Sequence, residues 1–248
     1  MRRKEHKENG FTFIEVMVSM LISSFVFAGI YGVYTIQQRS YTVQEQVSEM
    51  QQKGRAALDF MVRDIRMAAY GDPDGNCTSG DMAVWSAGAT AFTFDTCNQT
   101  NTKQTITYDL LGHDLRRTVG TGTAQMIAED IEAVEFLYAV EDKTTDPTSF
   151  PLKSSVTGGA NLDLIRSVQI SLLIRSTFPD RKHRDGVLYI PASVLKGAST
   201  AVWDINGADT GTGNPPTIDP AGCDKETDRC RYHRRLLITT VKMRNMGL

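Results

Sequence analysis

The sequence predicts an α+β protein in which one long N-terminal helix packs on an antiparallel β domain, and three observations predict it. From Phe11 to Ile36 run 26 residues with a single charged member, Glu15. Beyond them a polar stretch keeps apolar residues at spacings of three and four as far as Tyr70. After Gly71 that period stops, and short apolar stretches alternate with turn residues, the pattern of paired strands.

The first element is read from length and charge. At 1.5 Å per residue, a helix from Phe11 to Ile36 spans roughly 39 Å, more than the roughly 30 Å hydrocarbon core of a bilayer. The ten residues before it, MRRKEHKENG, carry Arg2, Arg3, Lys4 and Lys7 against Glu5 and Glu8, a formal +2. Basic residues preceding an apolar helix stay on the cytoplasmic side, so everything after Ile36 is expected to be exported. The run ends at VYTIQQRS, without the small-residue cleavage pattern of a secretory signal, so the helix reads as retained. Glu15 strains the reading as a plain anchor. A carboxylate in a transmembrane helix costs about 2.5 to 3.5 kcal/mol at its centre and asks for a partner, although near the helix start it can reach toward the headgroups.

The basic leader, Gly10 and the following FTFIEV together resemble the type IV prepilin signal of type IV pilins and type II secretion pseudopilins. The resemblance implies that a prepilin peptidase cuts between Gly10 and Phe11 and methylates the new amine. Residues 1–10 are then a cleaved leader and 11–36 a retained transmembrane and filament-core helix. The fifth residue after the cut is typically Glu in this family, and Glu15 stands there. A Phe11 ammonium and a Glu15 carboxylate attract far more strongly in a low-dielectric bundle than in water. Meeting on neighbouring subunits, they are expected to set axial register.

The helix continues. Val43, Val47, Met50, Gly54, Ala57, Leu58, Met61, Ile65 and Ala68 recur on one stripe, and no proline precedes Pro73, so one helix is expected from about Thr12 to Tyr70. Residues 37–70 form its amphipathic half, with Gly54 expected at a tight packing point. Within RSYTVQEQVSEMQQKGRAALDFMVRDIRMAAYG, the positions Gln51, Gly54, Arg55, Arg63, Asp64, Arg66, Met67 and Ala68 are similar to the corresponding helix of PilW-type minor pilins. The segment DPDGN, from Asp72 to Asn76, faintly resembles part of a calcium loop but lacks the downstream bidentate Glu, and reads as the turn that ends the helix.

Residues 71–248 are expected to form the β domain, and with the helix they give what the resemblance implies, the type IV pilin fold. AFTF, TITYDL and DLRRTV read as strands, with LGH as a hairpin turn. In VEFLYAV the residues Val134, Phe136, Tyr138 and Val140 share one face, as do Val168, Ile170, Leu172 and Ile174. GVLYI and RRLLITTVKMRNMGL add further strands, the last resembling the closing strand of PilW-type and J-type chains. Two polar stretches, 142–163 and 197–222, read as surface loops. Four cysteines, Cys77, Cys97, Cys223 and Cys230, suggest two disulfides in an exported chain. Three pairings are possible, and proximity favours Cys77 with Cys97 and Cys223 with Cys230. No C-x-x-C spacing argues for zinc.

Legible chemistry is sparse. The histidines His6, His113, His183 and His233 fall in no metal or triad spacing, and no G-x-S-x-G, P-loop or H-E-x-x-H occurs, so neither catalysis nor a cofactor or metal is expected. Two basic clusters stand out. Arg181 to Arg184 reads as a hairpin tip, while alternation in RCRYHRR places Arg229, Arg231, His233 and Arg235 on one strand face beside Tyr232. A formal net charge of −2 gives no bulk attraction for nucleic acid, so a solvated face or an acidic partner subunit is favoured over DNA.

The resemblance implies a minor pilin of PilW type. It is expected to be held in the bacterial inner membrane with its β domain periplasmic, to join other minor pilins and the major pilin, and to prime a type IV pilus. It then sits at or near the tip, where it is expected to help display an adhesin. The alternatives are a J-type pseudopilin of type II secretion and a tip module for adhesion or DNA uptake.

Overall fold

In a computed structural model, the structure describes residues 11–69, 77, 83–97, 102–143, 149–157, 162–185, 189–196 and 228–243. The chain divides into two units, Met1–Glu45 and Gln46–Leu248.

Helix α1, Phe13–Arg66, is continuous and runs from the first unit into the second. Within the first unit its apolar side chains, from Phe13 through Ile14, Leu21 and Phe25 to Ile36, are exposed around the whole circumference. A helix apolar on every side has no water-facing face, and this one is long and apolar enough to cross a membrane. In the second unit the stripe narrows to Met50, Gly54, Ala57, Leu58, Met61 and Ile65, all buried. There the polar residues hold the opposite face.

The rest of the second unit is two antiparallel sheets. The first is a meander of β1 Val84–Ala87, β2 Phe92–Cys97, β3 Lys103–Leu111, β4 Asp114–Val119 and β5 Gln125–Ala128, in that spatial order. The second contains β6 Ile131–Val140, β7 Leu152–Lys153, β8 Ile165–Arg175 and β9 Arg234–Lys242, ordered β7-β6-β8-β9. One core joins the helix stripe to both sheets through Phe92, Phe94, Tyr108, Phe136, Tyr138, Ile170 and Leu172. The rings of Phe92 and Phe94 lie 4.9 Å apart and those of Phe92 and Tyr138 5.3 Å, within the range of tilted aromatic pairs.

The strands expected from AFTF, TITYDL and DLRRTV are β2, β3 and β4. Gly112 and His113 turn between the last two, with Gly112 at φ +61°, the left-handed region that a two-residue hairpin assigns to glycine. VEFLYAV lies in β6, and Val168 to Ile174 in β8.

Several expectations are corrected. The helix ends at Arg66, before Tyr70, because Ala69 enters the left-handed region at φ 54° and gives its N–H to the carbonyl of Asp95 at 2.8 Å. The chain therefore leaves the helix by docking on β2; DPDGN lies outside the described residues. Strand β6 is buried on both faces, because Tyr189, Leu236 and the segment Ala192–Leu195 cover its second side. The 142–163 stretch is not all loop: it supplies β7, and Val156 bridges Ala87 of the first sheet. The 197–222 stretch lies outside the described residues. Of GVLYI, residues 186–188 also lie outside them, and Tyr189 forms a bridge rather than part of a strand.

The basic clusters differ from expectation as well. Asp228–Arg231 is a 3-10 turn and β9 begins only at Arg234, so Arg229, Arg231, His233 and Arg235 do not share a strand face. Residues 181–185 form a turn and extended chain against 230–233, held by Asp180 N–H to Arg231 O at 2.7 Å and Asp185 N–H to Cys230 O at 2.8 Å. That segment is a strap, not a hairpin tip.

Candidate functional site

The expected assembly determinants gather at the start of α1. Glu15 lies in its first turn and is exposed, and Thr12 O accepts the N–H groups of Glu15 at 3.1 Å and Val16 at 3.3 Å. A carboxylate in the first turn lies at the positive end of the helix dipole. Phe11 is exposed, and Gly10 lies outside the described residues. The surface offered downstream is mostly apolar side chain, and the hydroxyls of Ser19, Ser23, Ser24 and Thr35 bond back to the helix.

In the second unit, α1 is pinned by polar contacts as well as by its stripe. Asp64 accepts from the buried Tyr108 hydroxyl at 2.6 Å and from Arg117 Nε at 2.7 Å, tying the last turns of α1 to β3 and β4. Burial raises the Tyr108 pKa, and the Asp64 charge adds to it, so the phenol stays protonated and donates. Burial pulls the Arg117 pKa down, but the bond and charge of Asp64 lift it to a net rise. The guanidinium also lies over the Phe60 ring at 5.7 Å.

On the same helix Lys53 meets Glu49 at 2.9 Å, Glu129 at 3.1 Å and Asp130 at 3.6 Å, binding α1 to the β5–β6 turn. Gly54 lies beneath β8 and β9: a Cβ there would stand 2.7 Å from Leu237 Cδ1 and 3.5 Å from Ile174 Cγ2. The resemblance residues of the helix thus divide. Gly54, Asp64 and Ala68 serve the interior, while Arg55, Arg63 and Arg66 are exposed with Asp59 on the outer face.

Two further polar centres were not legible in the sequence. Arg234, with a fully buried side chain, donates through Nε and Nη2 to Glu132 and through Nη1 to Asp185 at 3.2 Å. It fixes the start of β9 to β6 and to the strap. Glu135, buried on the covered face of β6, accepts from Ser193 Oγ and from the Ser193 N–H at 3.3 Å, while Ser171 Oγ accepts the Ala192 N–H at 3.0 Å. These bonds hold the short helix α2, Ala192–Leu195, against the sheet. Burial raises the Glu135 pKa, partly offset by its bonds to Ser193. Alternation sets Glu135 on the face opposite Val134 and Phe136, which the sequence reads as solvent-facing, so no local signal marked it as buried.

Cys77 and Cys97 form a disulfide. Cys230 is also disulfide-bonded, and Cys223 lies outside the described residues. His183 and His233, far apart in sequence, stack with ring centroids 3.8 Å apart. Among the described residues no group of three or more His, Cys, Asp or Glu side chains is arranged to hold a metal.

Residues 6–31 match the prokaryotic N-terminal methylation motif, and with the long apolar helix on an antiparallel β domain they define the class, a pilin-like subunit. Residues 97–245, more than half of the chain, match the family Type IV Pilus-assembly protein W, and the chain belongs to that family. No curated protein sequence matches it. A solved structure, the type IV-like pilin TTHA1219 from Thermus thermophilus, is similar at a TM-score of 0.46 and 12% identity, covering 81% of this chain and 100% of its own.

Proposed function

We propose that this chain is a minor pilin that primes assembly of a type IV pilus and remains at or near its tip. The chain is cleaved after Gly10 and methylated at Phe11. It is anchored in the inner membrane by residues 11–36, with its β domain on the periplasmic side. The helix from Phe11 onward then packs beside those of other minor pilins and the major pilin, and Glu15 meets the Phe11 ammonium of a neighbour. In this role the β domain contributes surface.

The observation that carries the reading is the apolar helix with its hydrophobic side chains exposed on every side and one carboxylate in its first turn. Such a surface is satisfied in turn by lipid and by a bundle of similar helices. Family membership favours the pilus over a secretion system. The test is N-terminal mass spectrometry of the protein recovered from cells with and without prepilin peptidase. A methylated Phe11 start that depends on the peptidase is expected, and only intact chain beginning at Met1 despite active peptidase would sink the proposal. Glu15→Ala is expected to be processed and inserted normally but to be depleted from sheared filaments.

A further inference from the structure

The apolar stretch leaves its depth in the membrane open. Crossing roughly 30 Å takes about 20 helical residues, and 26 are available, so the helix can sit with 11–30 or with 17–36 in the hydrocarbon. The first placement submerges Glu15 and sets Tyr31 at the far boundary. The second brings Glu15 to the headgroups and submerges Tyr31 and Tyr34. A steep tilt would keep the whole stretch inside.

The hydroxyls discriminate between these placements. Ser19 bonds back to the carbonyl of Val16 at 2.8 Å, Ser23 to Ser19 at 2.7 Å, Ser24 to Leu21 at 2.7 Å and Thr35 to Gly32 at 2.9 Å. These side chains need nothing from outside the helix. A phenol is too long to return to its own backbone. Tyr31, Tyr34 and Tyr41 are 69%, 57% and 72% exposed, and among the described residues their hydroxyls make no hydrogen bond. At 100° per residue the three fall within an arc of about 80°; Tyr31 and Tyr34 are about 4.5 Å apart along the axis, inside the roughly 5–7 Å headgroup layer of one side, and Tyr41 stands about 10 Å further out on the same face. Gln37, Gln38, Arg39 and Ser40 lie between Tyr34 and Tyr41.

Resting on the membrane-anchored reading above, we infer that Tyr31 and Tyr34, with Tyr41 above them on the same face, form a one-sided aromatic anchor at the periplasmic lipid-water interface. This anchor fixes the depth and roll of α1 and holds Glu15 inside the hydrocarbon. The partner is the lipid headgroup layer, which offers ring-deep apolar contact and hydroxyl partners at once. The consequence for assembly is direct. Held about 6 Å inward, Glu15 reaches the cytoplasmic headgroups only at the end of an extended side chain, so an ammonium within the bundle becomes its better partner.

The test places a spin label at Val16→Cys or Val33→Cys in the full chain, with the native cysteines oxidised. The protein is reconstituted in phosphatidylethanolamine and phosphatidylglycerol vesicles, and depth is read by relaxation with oxygen and a polar nickel chelate. The label at 33 is expected in the headgroup layer and the label at 16 in the hydrocarbon. Replacing all three residues, Tyr31→Leu, Tyr34→Leu and Tyr41→Leu, is expected to draw position 33 inward, by up to about 9 Å for a six-residue slide. A label at 33 already inside the hydrocarbon, by sliding or by tilt, overturns the inference while leaving the membrane reading intact; so does an unchanged depth in the triple variant. If neither position reads as hydrocarbon, the membrane reading fails and the inference with it.

Discussion

Arg234 is the residue at which one side chain decides most. Its guanidinium faces two carboxylates, Glu132 with side-chain exposure of 9% and Asp185 with 2%, while its own side chain has none. Burial lowers the guanidinium pKa, but the bonds and charges of Glu132 and Asp185 raise it further, so the cation persists. Removing it leaves two carboxylates in low dielectric without a counter-charge, the costly way to break a buried ion pair. Arg234→Ala is expected to lower stability by about 3–5 kcal/mol in urea denaturation of the purified protein. Arg234→Lys is expected to recover only part of this loss, because an ammonium lacks the planar fork that reaches both partners. The sequence shows Arg234 as one arginine among several in RCRYHRR. Nothing local distinguishes it, since Glu132 and Asp185 are distant along the chain.

At the scale of elements, the docking of α1 turns on Gly54. The atom nearest to an added Cβ is the end of the Leu237 side chain, which can rotate, and alanine also favours the helix by about 1 kcal/mol over glycine. Gly54→Ala is therefore expected to be near neutral. Gly54→Leu must displace Ile174 as well, and is expected to cost about 1–3 kcal/mol in the same measurement.

The strap over residues 230–233 has a pH dependence of its own. Burial lowers the His183 pKa and the stacked His233 lowers it further; Asp185 and Asp180 oppose this, and Arg234 adds to the lowering. The folded pKa lies below the unfolded value, so stability is full above about pH 6.5 and declines as pH falls below it. Thermal melts from pH 8 to 5 are expected to show this decline, and it is expected to weaken in His183→Gln. Glu135, with a raised pKa, acts in the opposite sense: protonation at acid pH removes a buried charge. The difference between the wild-type and His183→Gln curves therefore isolates the histidine contribution.

For the molecule as a whole, the Cys77–Cys97 disulfide closes a loop of sequence separation 20 next to the point where the end of α1 docks on β2. Cross-linking a loop of that length restricts the unfolded chain by about 3 kcal/mol. Cys77→Ser with Cys97→Ser is expected to lower the unfolding free energy by about that amount under oxidising conditions. The two matched ranges, 6–31 and 97–245, also distribute the identity over the chain. The helix segment 39–71, from which the PilW-type resemblance was drawn, lies between them. Its residues are explained by packing: Gly54 for close approach, Asp64 for the bond to Tyr108, and Ala68 for burial.

What the sequence by itself determined is everything that depends on near neighbours. The length of the apolar run, the basic leader, the place of Glu15, the strand runs of β2, β3 and β4 and the alternation in β8 are local patterns, and local patterns survive being read without a partner. Only the tertiary structure decided which distant segments cover one another. It separated the strands into two sheets, buried β6 on its second face, ended α1 early on the carbonyl of Asp95 and turned an arginine of a basic cluster into the counter-ion of Glu132 and Asp185. The physical reason is that burial and charge pairing are properties of the space around a side chain. That space is filled by residues whose positions no short stretch of sequence specifies.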